Sequence, residues 1–93
     1  MIAEALNHGA KNATSGRALA SMFQTDIRTI TATIERERRD GKPICASYEK
    51  EAHGYYLAET DEELKRYCRI LEHRAQEMQT TRRALMSIRL PEK

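Results

Sequence analysis

The most constraining feature of this sequence is a long stretch near its end that nothing interrupts. It opens with a capping box, in which the Thr60 hydroxyl accepts a hydrogen bond from the first helical turn and Glu63 reaches back to the N-cap amide. No helix-breaking residue follows before Pro91, and carboxylates gather at the start of the stretch while arginines gather near its end, as the helix dipole favours. The pattern predicts one helix over residues 60–90.

A helix of this length leaves little chain for the rest of the fold. The protein has 93 residues, of which 40% are hydrophobic and only 5% aromatic. Because large apolar side chains are scarce, the remaining chain has enough of them for one small core only. We therefore predict a head formed by residues 1–59, followed by the long helix.

The long helix also has an apolar seam that alternates spacings of four and three residues, which is typical of a coiled coil. The seam contains Leu64, Cys68, Leu71, Ala75, Met78, Arg82 and Leu85, with Tyr67 and Ile88 beside it. We expect Leu64, Tyr67 and Leu71 to close the core of the head. The predicted homodimer contacts are Leu71, Ala75, Met78, Leu85 and Ile88. The alternatives are a helix that folds back on its own head and a frayed tail.

Short helical patterns occupy the first half of the head. Ile2, Ala3 and Leu6 lie at helical spacing before a stop at His8 and Gly9, which predicts a short first helix. A second helix carries Ala18, Leu19 and Met22, is capped by Thr14 or Ser15, and ends near Phe23.

A third helix follows directly after a short turn. Thr25 is its predicted N-cap, and Ile27, Ile30 and Ile34 lie on the face that we expect to be buried. Asp40 and Gly41 end this helix. Two short runs of strand-forming residues, 44–47 and 55–58, then predict a β-hairpin.

The order of these elements resembles that of a winged helix-turn-helix. The residues that carry the resemblance are Ser15-Gly16-Arg17-Ala18-Leu19-Ala20, Asp26-Ile27-Arg28-Thr29-Ile30, Ile34, Arg38, Gly41, Ile44 and Gly54-Tyr55-Tyr56-Leu57. In this pattern the chain is similar to the N-terminal domain of bacterial biotin-ligase repressors and to short winged-helix proteins of bacteriophages. The resemblance implies a mainly α fold with a small β-hairpin, in which the third helix enters the DNA major groove and the hairpin contacts the adjacent backbone.

One residue departs from the pattern of such domains. Four residues before Gly41, where they usually carry a buried Leu, this chain has Glu37. Two explanations are open: either the end of the third helix is looser here, or the Glu37 stem lies along the core with its carboxylate at the surface, near Arg38 or another base.

The side of the third helix opposite its isoleucines carries candidate base and phosphate contacts. Arg28 has the donor geometry to bind a guanine edge bidentately, and hydroxyl and basic side chains are suited to phosphates. The predicted DNA-binding residues are Ser15, Arg17, Thr25, Asp26, Arg28, Thr29, Thr33, Arg36, Arg39, Lys42, Lys50 and His53. The alternative is a charged helix face that is exposed to solvent and binds no partner.

Charge does not decide the class of partner. The whole chain has a formal charge of +2, and Met1–Leu57 contains eight Lys and Arg residues against seven Asp and Glu residues. Any affinity for DNA must therefore come from dimerisation and from local clustering, above all of Arg36, Arg38, Arg39 and Lys42. Glu49 and Glu51 in the hairpin loop repel phosphates, and they favour the alternative of an adaptor that binds a regulatory or replication protein.

Enzyme and metal chemistry find little support in the sequence. The spacings of Cys45, His53, Cys68 and His73 match no common zinc pattern, and no glycine-rich phosphate loop is present. We therefore expect a non-catalytic protein without cofactor or metal. No stretch is apolar enough to span a membrane or to act as a signal peptide, so we expect a cytoplasmic protein with reduced cysteines.

Overall fold

The computed structural model describes residues 1–91 and confirms a mainly helical fold with a small two-stranded antiparallel sheet and a long C-terminal helix. The elements are α1 (Gly16–Met22), α2 (Ile27–Arg39), β1 (Ile44–Ser47), β2 (Gly54–Leu57) and α3 (Asp61–Met86), with single 3-10 turns at Ala3–Ala5, Ala10–Asn12 and Lys50–Ala52. None of the helices in residues 1–91 has the length and apolar character needed to cross a membrane.

The predicted first helix is wrong. Only the 3-10 turn Ala3–Ala5 forms there, although Ile2, Ala3 and Leu6 are buried. The backbone becomes extended at Leu6 and pairs with β2, because the Leu57 amide donates to the Asn7 carbonyl and the Leu57 carbonyl accepts from the Gly9 amide. Hydrogen bonding to the hairpin thus replaces the helical bonds that the spacing predicted.

Helix α1 starts as predicted, but the cap of α2 differs from the prediction. The Ser15 hydroxyl accepts from the Ala18 amide at 3.0 Å. At α2 the cap is Asp26, whose carboxylate accepts from the Thr29 amide at 2.7 Å, and not Thr25. The Thr25 amide instead donates to the Ala20 carbonyl, which holds Thr25 in the turn between the helices.

The predicted buried face of α2 is correct for two of its three isoleucines. Ile30 and Ile34 are buried, whereas Ile27 is 49% exposed. Ile27 is the first residue of α2, so it extends beyond the core instead of into it. At the other end Asp40 caps the helix and Gly41 adopts a left-handed conformation with φ of 99°, which confirms the predicted stop.

Glu37 contradicts both explanations offered for it from the sequence. Its side chain is only 4% exposed, and its carboxylate lies inside the head. One oxygen accepts from the Ile2 amide at 2.8 Å and the other from the Ala3 amide at 2.9 Å. The carboxylate therefore provides the partners that the first amides of the N-terminal turn lack.

The hairpin forms between the two predicted runs. Ile44 pairs with Leu57 and Ser47 with Gly54, so β2 lies one residue earlier than predicted. On its other side β2 pairs with the segment before α1, where Thr14 and Tyr55 exchange two backbone hydrogen bonds of 2.8 Å. A side chain at position 54 would collide with the Thr14 carbonyl, which explains the glycine.

One of the two hydrogen bonds predicted for the capping box of α3 is present. The Glu63 amide donates to the Thr60 hydroxyl at 3.1 Å. The Glu63 carboxylate, however, accepts from the amides of Glu59 at 2.8 Å and Ala10 at 3.2 Å, and so ties the start of α3 to the N-terminal segment. The helix ends at Met86, before the predicted position 90, where the Ser87 hydroxyl donates to a carbonyl of the last turn.

Tyr67 is the only residue of α3 that the head buries. Tyr67 is 5% exposed, and its hydroxyl accepts from Arg38, whose Nε donates to the Ile44 carbonyl at 2.7 Å. The Arg38 guanidinium also lies 5.1 Å from the centre of the Tyr67 ring. Leu64 is half-buried, but the prediction that Leu71 belongs to the core is wrong, because Leu71 is 41% exposed.

We predict that Glu37→Ala destabilises the head strongly. The substitution leaves two buried amides without partners, at a cost of about 1–3 kcal/mol each. Urea unfolding measures the change in the free energy of unfolding. The matched control is Glu35→Ala on the same helix, where a half-exposed carboxylate is lost and the expected cost is about 1 kcal/mol or less. Equal effects of the two substitutions would contradict the structural role of Glu37.

Alkaline pH provides a second test of the packing. Burial raises the pKa of Tyr56 and Tyr67 from 10.0 to about 12. Between these values the unfolded chain has lost protons that the folded chain keeps, so the free energy of unfolding falls as the pH rises through this window. We expect Tyr67→Phe to make this fall shallower in urea unfolding at pH 9 to 12 (roughly the pKa window). An unchanged slope would show that Tyr67 does not contribute.

Candidate nucleic-acid interface

The outward face of α2 is centred on Ala32. Residues three, four and seven positions apart share a helix face, so Arg28, Arg36 and Arg39 lie on the same face as Ala32, opposite Ile30, and Glu35 lies beside them. The three arginines and Ala32 are exposed. A small side chain among three long basic ones leaves space for another molecule to approach the helix closely.

Asp26, at the start of this face, has a structural role. Its carboxylate accepts the Thr29 amide, and this hydrogen bond lowers the pKa of Asp26 below the ordinary value of 3.8. The ionised carboxylate therefore places a negative charge two residues before Arg28. An anionic ligand at this end of α2 would be repelled by Asp26 and attracted by Arg28.

Two clefts flank α2. The hairpin cleft lies between the starts of α1 and α2 and the hairpin, and its volume is about 480 Å³. The terminal cleft lies between α2, the N-terminal residue Met1 and Phe23 at the end of α1, and its volume is about 470 Å³. Ile27 and Tyr48 contribute apolar surface to the hairpin cleft.

The structure divides the predicted DNA-binding residues among these surfaces. Those at the hairpin cleft are Ser15, Arg17 and His53. Those at the terminal cleft are Thr25, Thr29, Thr33 and Arg36. Those that line neither cleft are Asp26, Arg28, Arg39, Lys42 and Lys50. Because these positions are divided among different surfaces, they do not line a single cleft. Ser15 and Thr33 are half-buried and the other ten are exposed.

Arg38 does not belong to the basic cluster predicted for Arg36, Arg38, Arg39 and Lys42. Its side chain is 19% exposed and binds Ile44, Tyr67 and Glu35 within the chain. Glu35 lies 2.9 Å from Arg38 and 4.0 Å from Arg39, so its carboxylate is neutralised by its own helix. The exposed basic surface thus lacks the charge of Arg38, but the negative charge of Glu35 is also balanced by Arg38 and Arg39.

The hairpin loop contains a contact that no sequence pattern predicts. The Arg74 guanidinium of α3 lies 4.2 Å from the centre of the Tyr48 ring, and this ring meets that of His53 edge-on at 5.9 Å. No local pattern connects Arg74 with the hairpin, because only the packing of α3 brings them together. The exposure of Ile27 at the hairpin cleft was not predicted for a different reason: Ile27 has the same helical spacing as the buried Ile30 and Ile34.

The cysteines are chemically unlike each other. Cys45 is buried in β1 and Cys68 is exposed on α3. Burial raises the pKa of the Cys45 thiol above its ordinary value of 9.0, which keeps the thiol protonated. Within residues 1–91, no three side chains of His, Cys, Asp or Glu lie close enough together to hold a metal ion.

Comparisons with known proteins add no relative. The chain matches no protein-family model, no curated protein and no solved structure. The likeness to winged-helix proteins therefore remains a resemblance of the quoted residues, and the element order matches it only in part, because a 3-10 turn replaces the predicted first helix.

We predict that the two thiols react at very different rates. In dilute native protein a thiol-specific disulfide reagent should modify Cys68 quickly and Cys45 only as the head unfolds, because the thiolate is the reactive form. The release of chromophore from the reagent measures both phases. In Cys68→Ser the fast phase should disappear. Two fast thiols in the native protein would contradict the burial of Cys45.

Proposed function

We propose that the head binds duplex DNA without catalysing a reaction, using the outward face of α2. The observation that carries this proposal is the group of Arg28, Arg36 and Arg39 around Ala32. Within residues 1–91 neither Arg28 nor Arg36 takes part in a salt bridge, so both guanidinium groups are available to a ligand.

The dimensions of α2 support a major-groove contact. Its 13 residues span about 20 Å, and the major groove is about 12 Å wide, so one face of the helix can meet several base pairs. Arg28 is the proposed base reader, because a guanidinium can bind O6 and N7 of guanine together. Arg36 and Arg39, further along the same face, are proposed phosphate contacts.

The hairpin is the proposed contact to the adjacent backbone, as in the winged-helix fold that the sequence resembles. Lys50 is exposed in its loop, and Arg17 and His53 lie at the neighbouring hairpin cleft. These positions suit phosphate binding beside the groove that α2 occupies. The proposed biological role is transcriptional regulation or assistance at a replication or recombination site.

A second candidate function is that of an adaptor for a regulatory or replication protein. The observation in its favour is the hairpin loop, where the exposed carboxylates of Glu49 and Glu51 stand on both sides of Lys50. Carboxylates at this place weaken phosphate binding, whereas a basic protein surface would bind them.

Selection of duplexes from a random pool at physiological salt tests the proposal. Enrichment of a defined site supports DNA binding, and the absence of any enriched or retained duplex would sink it in favour of the adaptor.

On the enriched site we predict that Arg28→Ala weakens binding by about 1–3 kcal/mol, or about 5- to 150-fold in Kd, because a base contact is lost. Mobility shifts measure this change, and thermal melting checks that the variant stays folded. The matched control is Arg69→Ala, which removes the same charge from an exposed position on α3. Equal weakening by both variants would show general electrostatic attraction instead of recognition by α2.

A further inference from the structure

Beyond Tyr67 the head buries no residue of α3, although Arg74 still lies against Tyr48 of the hairpin loop. In this part of α3 several large apolar side chains are exposed to solvent, among them Leu71, Met78 and Leu85, which are 41%, 72% and 64% exposed. A helix gains most of its stability from packing one apolar face. The free part of α3 thus presents an apolar stripe without a partner among residues 1–91.

The spacing of this stripe indicates which partner fits it. Cys68, Ala75 and Arg82 occupy the a positions of a seven-residue repeat, and Leu71, Met78 and Leu85 occupy the d positions. A helix with the same repeat is complementary to such a stripe. We propose that a second copy of this chain packs against α3 in the antiparallel direction. This proposal goes beyond DNA binding by the head and does not depend on it.

Arg82 decides the direction. In a parallel pair it would face Arg82 of the second copy, and the flanking positions Gln79, Thr81 and Met86 carry no carboxylate. In an antiparallel pair in which Ala75 faces Met78, Arg82 faces Leu71 of the second copy. Arg82 then lies beside Glu72 of that copy, at the position that follows Leu71.

Both members of this charge pair are free within the single chain. Neither Arg82 nor Glu72 forms a salt bridge in residues 1–91, and both are exposed. Two-fold symmetry produces the contact twice, once at each end of the paired segment. The antiparallel arrangement therefore exchanges a repulsion between two arginines for two attractive pairs.

The head leaves the required face of α3 open. It contacts α3 through Tyr67 and through Arg74, and these residues both lie at g positions, on one flank of the stripe. Cys68 and Ala75 on the stripe itself are exposed, as is Glu72 on the opposite flank. A second helix can therefore reach the seam without displacing the head.

Disulfide cross-linking of the full-length chain distinguishes the two directions, with copper phenanthroline as oxidant. In the antiparallel pair Cys68 lies across from position 85, so Leu85→Cys should form a covalent dimer. The wild type and the double variant Cys68→Ser/Leu85→Cys should not form one. In the antiparallel pair residue 68 lies far from residue 68 of the second copy, and residue 85 lies far from residue 85 of the second copy. Thr80→Cys, on the face away from the seam, is the control for random collision. Efficient cross-linking of the wild type through Cys68 would overturn the antiparallel direction.

Charge reversal gives an independent measurement by sedimentation equilibrium. Arg82→Glu and Glu72→Arg should each raise the dimer Kd by about tenfold or more, since two symmetric pairs become repulsive, and the double variant should restore it. A double variant as weak as the single variants, or a wild-type chain that is monomeric at tens of micromolar, on the order of the affinity of short coiled coils, would overturn the proposal. These measurements use protein alone, so their failure would be separate from a failure to bind DNA.

Discussion

The two hydrogen bonds of the Glu37 carboxylate hold the head together. A buried carboxylate is unfavourable unless it is fully hydrogen-bonded, and the amides of Ile2 and Ala3 meet this requirement. They also hold the N-terminal segment against the end of α2, so Ile2, Ala3 and Leu6 enter the same apolar cluster as Ile30 and Ile34. From there the segment continues to Leu57, which connects α2 to the hairpin through the N-terminus.

Arg38, the next residue along α2, connects α2 to the hairpin and to α3. Its guanidinium binds the β1 carbonyl of Ile44 and the hydroxyl of Tyr67, and so joins the hairpin and α3 at one point. One side of α2 thus organises the fold through Glu37 and Arg38. The opposite side, around Ala32, has no comparable internal role, and it is the side that we propose for DNA.

Local chemistry accounts for the parts of the fold that were predictable. The Ser15 and Thr60 caps, the left-handed Gly41 and the two strand-forming runs act within a few residues of their own positions, so their sequence signals identify them. Long-range contacts account for the failures. Helical spacing predicted a first helix, but the backbone of this segment forms hydrogen bonds with β2 instead. Helical spacing also predicted that Ile27 and Leu71 are buried in the core, whereas both are exposed. For the candidate site, the exposure of Arg28 and Arg36 follows from the helix period, whereas the contact between Tyr48 and Arg74 does not.

The sequence by itself determined where α1 and α3 begin, the arginine face of α2 that turns to solvent and the seven-residue repeat of the long helix. These properties depend on side chains close together along the chain. Only the tertiary structure decided the position of Glu37, the removal of Arg38 from the basic surface and the point, Tyr67, after which the head buries no residue of α3. The physical reason is that a charged side chain is buried or exposed according to the partners that distant parts of the chain bring to it.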